Sequence, residues 1–524
     1  MRLLTWKPST REHGTWEIYI PGTTIKGAFR KRASQILKTL WGESPRTNQI
    51  LDHLFGAQGK RGILFFSDAY LVDPQDPRQA WCSMDGVKMD PQTGRPQEKA
   101  KQDYLFAYGE HLVFQWRMDM QDVTANDLEM ISLLTHLLED FQHGDIPLGG
   151  NKSNGFGWVE AKIAELEWLT ANPAGVSKTL FENAVLAQEG VWHKLHLKGV
   201  EASNALRATA PLIARISTQI PPRSKSGFIS HRSFGGYSGS LVVEAEILTP
   251  IHIKESGEPS AQVDIGEGRV NGWDFFSMAA PEAAARPSVK TYALPSRSIK
   301  GMVRHVYSVA SDSSQPSADI SHLNPADRLF GWVGLSPNQS IMGRLSFSFG
   351  LFDEPELAWF SVPYPYTGWA FEHGKWGHKA GRAVPRTMIG TNWRLFQHAP
   401  LAPTVTRISA FKPTTTQSSY FRAILPGSTA RFTIRFWNLE ELEFQRLIWS
   451  VSLEPGLAHK LGHHRHLGFG SLRLRVLPES FLIDWAKRYS QKEWRTPIRV
   501  EDWRKGAVIA HAPELKKALN VQSL

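Results

Sequence analysis

Apolar residues at Ile25, Phe29, Ala33, Ile36, Leu37 and Leu40 fall on one face of a helix, so a helix is predicted over 25–40, with Thr23 or Thr24 as its cap. Residues 63–70 are apolar and aromatic and read as a strand. From His111 to Met118 the pattern alternates, placing Leu112, Phe114 and Trp116 on one face of another strand. Thr124 with Asp127 resembles a capping box opening a helix through Leu138, and Asn438 with Glu441 resembles a second ahead of Leu442, Leu447 and Ile448. Trp158–Ile163, Leu241–Leu248 and Leu472–Val476 also read as strands.

These elements belong to a repeat. Ile20-Pro21-Gly22-Thr23-Thr24-Ile25-Lys26-Gly27 recurs as Leu294-Pro295-Ser296-Arg297-Ser298-Ile299-Lys300-Gly301, 274 residues later. Leu54-Phe55-Gly56 matches Leu329-Phe330-Gly331, and Gly62-x-Leu64-x-Phe66-Ser67 matches Gly343-x-Leu345-x-Phe347-Ser348. A strand with Phe114 and Arg117 matches one with Phe432 and Arg435. Leu148-Gly149 followed by Gly155-Phe156-Gly157 matches Leu461-Gly462 followed by Gly468-Phe469-Gly470. The common order points to duplication. The expected fold is α+β, with two tandem ferredoxin-like (RNA-recognition-like) units carrying inserted loops.

The expected division is a first unit over 1–163, a connector over 164–238, a second unit over 239–476 and a C-terminal extension over 477–524. The connector ends in a stretch rich in Gly, Ser, Pro and Arg from Pro221 to Gly239. The first unit shows no counterpart of the Leu241–Leu248 strand. Either the chain is truncated there, or another element or subunit supplies that strand.

An excess of 60 Lys and Arg over 50 Asp and Glu favours a polyanionic partner. The single cysteine, Cys82, excludes an intrachain disulfide and a multi-thiolate metal site. Residues 1–11 lack the apolar core of a signal peptide and no stretch approaches a membrane span, so a cytoplasmic protein with no membrane partner is expected.

The repeated motifs resemble the RAMP superfamily of CRISPR-associated proteins, especially backbone subunits of type III effector complexes. The resemblance rests on the proline-turn helices at Ile20–Gly27 and Leu294–Gly301 and on the glycine-rich loop Gly149-Gly150-Asn151-Lys152-Ser153-Asn154-Gly155-Phe156-Gly157. Met89-Asp90-Pro91-Gln92-Thr93-Gly94, after the Phe66–Ala69 strand, looks like the family's hairpin motif. The match departs at Ser296, which replaces the turn glycine, and in the histidine-rich second loop. The resemblance implies a guide RNA (crRNA) as ligand, a complementary target RNA and other CRISPR effector subunits as partners, and a role in antiviral defense.

A helix N-terminus offers free N–H groups and partial positive charge to a phosphate. Lys26 and Arg30 lie four apart on one helix face near such an end, and Lys300 and Arg304 repeat them. They are candidate RNA-binding residues; the alternative is a solvated basic face. Gly149, Gly150, Gly155, Gly462 and Gly468 let backbone approach a ligand closely, and Lys152, His463 and Arg465 add charge or donors. Here the alternative is a tight turn between helix and strand. The spacing is not that of a P-loop. His459, His463, His464 and His466 do not reproduce the spacing of known zinc sites.

Related type III subunits carry a loop aspartate that helps cleave target RNA with a divalent metal. The resemblance therefore makes Asp264 and Asp274 candidate catalytic residues and Mg²⁺ ligands of an endoribonuclease, Asp274 slightly preferred for its nearness to Pro295. The first unit offers only Glu12, His13 and Glu17 before its turn. Two rivals stand beside target cleavage: a guide-processing endonuclease using a histidine such as His13, and a non-catalytic structural subunit.

Overall fold

The computed structural model describes residues 6–8, 16–73, 81–89, 96–109, 112–124, 127–172, 186–208, 229–255, 257–278, 290–315, 317–334, 339–364, 368–378, 387–389, 392–490 and 493–524. The apolar stripe from Ile25 to Leu40 is buried along a helix that runs Gly22–Trp41. Neither Thr23 nor Thr24 caps it. Pro21 stands at the N-cap with φ −58°, and Oδ1 of Asp68 accepts from the Gly22 N–H at 2.8 Å. A second helix, Pro45–Phe55, is capped by Ser44, and a third runs Leu128–Gln142. Asp127 is the N-cap of the third and holds Thr124 by its backbone N–H and its hydroxyl, each at 2.7 Å. Phe29, Leu37, Leu54, Leu64, Leu133 and Leu137 form the core between these helices and the sheet.

In that sheet Trp16–Ile20 pairs with Ala69–Leu71, which pairs with Phe114–Gln115, while Leu64–Phe66 pairs with Met118–Met120. Both predicted strands are thus interrupted. The breaks meet: Ser67 donates its N–H to the Arg117 carbonyl and accepts the Arg117 N–H on Oγ. The second repeat shows the same pairings. Ala293–Leu294 pairs with Gly350–Phe352, which pairs with Thr429–Leu439, and Leu345–Phe347 pairs with Thr429–Leu439. The helices Ser296–Ala310, Pro325–Phe330 and Glu441–Val451 follow in the same order.

Tyr237–Ile247 pairs with Thr429–Leu439 on one side and Ser471–Val476 on the other. Among the described residues the first repeat has no counterpart of this strand. Trp158–Ile163, expected as a strand, is accordingly not one, because it finds no ladder partner. Instead Glu165–Thr170 enters a separate sheet with Trp192–Lys198 and Ala187–Glu189.

The second predicted capping box is also displaced. Glu440 and Glu443 form it, while Asn438, at φ 58°, holds the carbonyls of Ser230 and Ser233 through Nδ2. A five-stranded sheet is inserted in the second repeat, in the order Ala261–Ile265, Gly268–Trp273, Ser418–Ile424, Leu357–Pro363, Thr406–Ile408.

The repeats exchange core residues. The hairpin of Trp81–Met89 with Pro96–Ala107 places Cys82, Met84, Tyr104 and Phe106 in the core of the second repeat. Trp485 and Tyr489 of the C-terminal extension enter the core of the first. Fully burying one such side chain contributes about 1.5–3 kcal/mol, so both exchanges bind the repeats together. No helix among the described residues is long and apolar enough to cross a membrane.

Candidate nucleic-acid interface

Gly22 opens the first proline-turn helix because nothing larger fits: a Cβ there would lie 2.6 Å from the carbonyls of Phe66 and Ser67. Asp68 occupies the first free N–H of this positive helix end. Four residues further, Lys26 has no hydrogen bond or ion pair among the described residues. It lines an open groove of about 340 Å³ with Phe55, Gly56, Ala57, Lys60, Arg61, Gly62 and Phe65. The Arg61 guanidinium lies 4.4 Å over the Phe65 ring. No carboxylate is among the residues lining this groove. Arg30, on the same helix face, is engaged within the protein: it pairs with Asp52 at 2.7 Å and donates to the Gly56 carbonyl.

The second proline-turn helix keeps the pairing and changes the surroundings. Arg304 forms an ion pair with Asp327 as Arg30 does with Asp52. Phe349 stands where the first repeat has Asp68, and packs against Phe106, Phe156 and Phe276. Ser296, the departure from glycine, donates its hydroxyl to the Asn154 carbonyl at 2.6 Å. Arg297 lies 4.4 Å over the Tyr104 ring. Lys300 has no ion-pair partner among the described residues, and burial, with Arg304 and Arg297 nearby, lowers its ammonium to about 7.

The two glycine-rich loops share one backbone path. Asn151 and His464 both adopt left-handed conformations, at φ 54° and 52°, ahead of a short 3-10 turn. Gly155 and Gly468 follow at φ 80° and 99°, and the loops close by Leu148 N–H to Gly157 O and Leu461 N–H to Gly470 O, both 2.8 Å. What they approach is protein. A Cβ at Gly155 would lie 2.2 Å from the Phe347 carbonyl, one at Gly468 2.3 Å from that of Pro400, and one at Gly462 2.5 Å from that of His252. Gly149 is exposed with open space around it, and Gly150 is half-buried.

The first loop docks on the second repeat, where Ser346 Oγ donates to the Lys152 carbonyl at 2.5 Å. Burial, with Lys31 nearby, lowers the Lys152 ammonium to about 8. The second loop docks on the inserted sheet and its flank. His463 N–H donates to the His252 carbonyl at 2.8 Å, the His464 ring stacks 4.8 Å from Phe421, and Arg465 lies over Phe396.

The two aspartates stand apart in character. Asp264 is on the hairpin Ala261–Ile265 and Gly268–Trp273, its side chain 74% exposed, with Arg269 at 3.6 Å. Asp274 is buried. It binds Lys290 at 2.8 Å and Arg422 at 3.2 Å, and accepts from the Tyr292 hydroxyl. Lys290 also binds Glu255 at 2.9 Å, so one buried ammonium joins two carboxylates. Among the described residues, no group of three or more His, Cys, Asp or Glu side chains is placed to hold a metal ion. Glu12, His13 and Asp90–Gly94 lie outside the described residues. Glu17 is buried on the Trp16–Ile20 strand, and neither of its carboxylate oxygens has a hydrogen-bond partner among the described residues.

Residues that sequence reasoning did not single out for the site include Asp68, Lys60 and Arg61. The contrast of Asp68 with Phe349 at matched positions was a readable signal; the others became significant only through long-range packing.

No curated protein matches this chain. A solved structure of Csc2 from Thermofilum pendens is 9% identical, aligned over 54% of this chain and 83% of that one, with a TM-score of 0.26, too low to bear on the fold. Residues 5–160 match the family model described as RAMP superfamily.

Proposed function

We propose that this protein is a backbone subunit of a type III CRISPR ribonucleoprotein that binds guide RNA, in company with other effector subunits. One observation carries the reading: Lys26, Lys60 and Arg61 converge on one groove with Phe55 and Phe65 and no lining carboxylate. Cations in such a groove neutralise phosphates, and since Phe55 is buried, the half-buried Phe65 is the ring open to a base. The ligand is read by backbone and shape, with sequence left to base pairing. The superfamily match of residues 5–160 supports this reading.

The test is RNA affinity against salt. Lys26→Gln, Lys60→Gln and Arg61→Gln together should flatten the log–log salt slope by about 2, given about 0.7 per phosphate on single strands. An unchanged slope removes the groove from the account.

Mg²⁺-dependent cleavage of complementary target RNA is a second reading, favoured by the exposure of Asp264 on its hairpin. In it Asp264 orients a divalent ion or the attacking 2′-hydroxyl, and Asp274, engaged by Lys290 and Arg422, supports the base of that hairpin.

A further inference from the structure

One strand position is filled in the second repeat and has no occupant among the described residues of the first. Leu64 faces Met120 as Leu345 faces Phe436, so Trp116 and Met118 correspond by ladder position to Phe432 and Ile434. This is two residues out of step with the sequence pairing of Phe114 with Phe432. Phe432 and Ile434 are buried beside Val243 and Leu241 of the Tyr237–Ile247 strand. Trp116 and Met118 are only half-buried. On the other flank, Val159 and Ala161 correspond to the buried Leu472 and Leu474, and they too are only half-buried.

Unused backbone groups lie on the same two flanks. Val113, Arg117 and Gln121 bond to Val72, Ser67 and Ile63, so alternation turns the N–H and C=O groups of Phe114, Trp116 and Met118 the other way. Among the described residues those groups have no partner, and the backbone of 158–163 makes no hydrogen bond. An open edge flanked by apolar residues is a template for strand addition. The strand Trp6–Pro8 does not fill it, because it pairs with Trp16–Ile20 at the opposite edge of the sheet. At the far end Met120 shares an apolar cluster with Leu166 and Trp168 of the connector, which bounds the open span.

The flanks also set the charge of the occupant. In the second repeat Glu244 pairs with Arg431 and Arg475, and Glu246 with Arg473. Gln115 and Lys162 stand at the places of Arg431 and Arg475, and Glu160 at that of Arg473. Lys162 and Glu160 are exposed and have no ion pair among the described residues. The strand that fits here carries an acid beside Lys162 and a base beside Glu160.

We propose that this edge is a docking seat for a β-strand of another polypeptide. The strand enters antiparallel to both flanks, with alternate apolar residues towards the core of the first repeat, an acid beside Lys162 and, two residues on, a base beside Glu160. The inference goes beyond the RNA-binding reading: the partner is a protein, and the test contains no RNA.

The probe is a synthetic peptide with the sequence Tyr237–Ile247 and the change Glu246→Lys, added to the full chain while amide hydrogen exchange is followed by mass spectrometry. Exchange over 114–118 and 158–163 should slow about tenfold or more. The peptide without the change should bind about threefold more weakly, because it sets an acid beside Glu160. A peptide that also carries Val243→Pro loses the N–H that would meet Trp116, and should protect neither flank. In the protein, Met118→Pro removes an N–H facing the seat; it should abolish the protection while the Gly22–Trp41 helix amides exchange as in the wild type. Should that variant not fold, the peptide series decides alone. Absence of protection by the lysine peptide, or equal protection by the proline peptide, would overturn the docking seat. Flanks that already exchange slowly without peptide would also overturn it: at all protein concentrations, the chain fills its own seat; only at high concentration, a second copy does.

Discussion

Arg32 and Asp140 meet 2.5 Å apart in the interior of the first repeat, and the matched positions in the second repeat are Val306 and Leu453. The match follows the offset that carries Lys26 to Lys300 and the one that carries Leu148 to Leu461. The two valleys between helices therefore differ in chemistry. Arg488 of the C-terminal extension enters the first, reaching Asp140 and Asp145 at 2.6 Å each, while Leu515, Ala518 and Leu519 pack beside Val306 and Leu453 in the second. Each part of the extension fits only one valley: charge excludes the apolar helix from the first, and the second leaves Arg488 without a partner.

Asp140→Asn should cost about 3 kcal/mol, because it leaves the buried Arg32 guanidinium without its ion-pair partner and Arg488 with Asp145 alone. Burial alone would raise the Asp140 carboxyl; Arg32 and Arg488 outweigh it and hold it at about 2. Its folded value is depressed, so its stabilisation is present above the ordinary 3.8 and is lost as pH falls through about 2. Hydrogen exchange of the Gly22–Trp41 helix amides reads the loss, and unchanged protection in the variant would reject the account.

The second glycine-rich loop should weaken earlier in acid. Burial lowers His464 to about 3, with His463 and His466 adding repulsion, and lowers His252 and His463 as well. An unfolded histidine takes its proton near 6.5, so the unfolded chain binds more protons as pH drops. Stability supplied by this loop should fall steadily from pH about 6.5 towards about 3. His464→Asn, which copies Asn151 and keeps a residue tolerant of the left-handed conformation, should flatten that dependence. Limited proteolysis across a pH series checks it.

Gly155→Ala should loosen the repeat junction. The added Cβ meets the Phe347 carbonyl at 2.2 Å in a left-handed backbone, a clash on the order of 2 kcal/mol or more. Gly149→Ala, at similar φ in open space, should cost only about 1 kcal/mol. Thermal unfolding of the pair separates them; equal midpoints would mean that the contact carries no weight.

The two loop aspartates should part company. Asp274→Asn leaves Lys290 buried with Glu255 alone and should destabilise by about 3 kcal/mol. Asp264→Ala removes an exposed acid and should change stability by under about 0.5 kcal/mol. If target RNA is cut, that second variant should lose the cut while keeping its affinity. Urea transitions of both variants, with a cleavage assay of the second, decide the matter.

Backbone chemistry was what the sequence announced most clearly. The two proline turns and the two glycine-rich loops obey local rules of φ, so their recurrence in one order could be read from the chain. Partnerships were hidden. Gly22 reaches Asp68 across 46 residues, and Arg488 reaches Asp145 across 343. The stripe of Lys26 and Arg30 looked like one basic face, yet Asp52 engages Arg30 while Lys26 faces a groove; only the packing of the Pro45–Phe55 helix separates them. The preference for Asp274 came from its nearness to Pro295 and could not anticipate Lys290 and Arg422, which arrive from other segments.

The docking of the 149–157 loop on Phe347 and Ser346 of the same chain has a kinetic side. In an assembly of separate subunits, such a junction forms at a rate set by protein concentration. Here the connector makes it unimolecular, with an effective local concentration that dilution does not change. The spacing between the two repeats is therefore inherited with the polypeptide, and at this junction the order of neighbours is decided at translation rather than by encounter in solution.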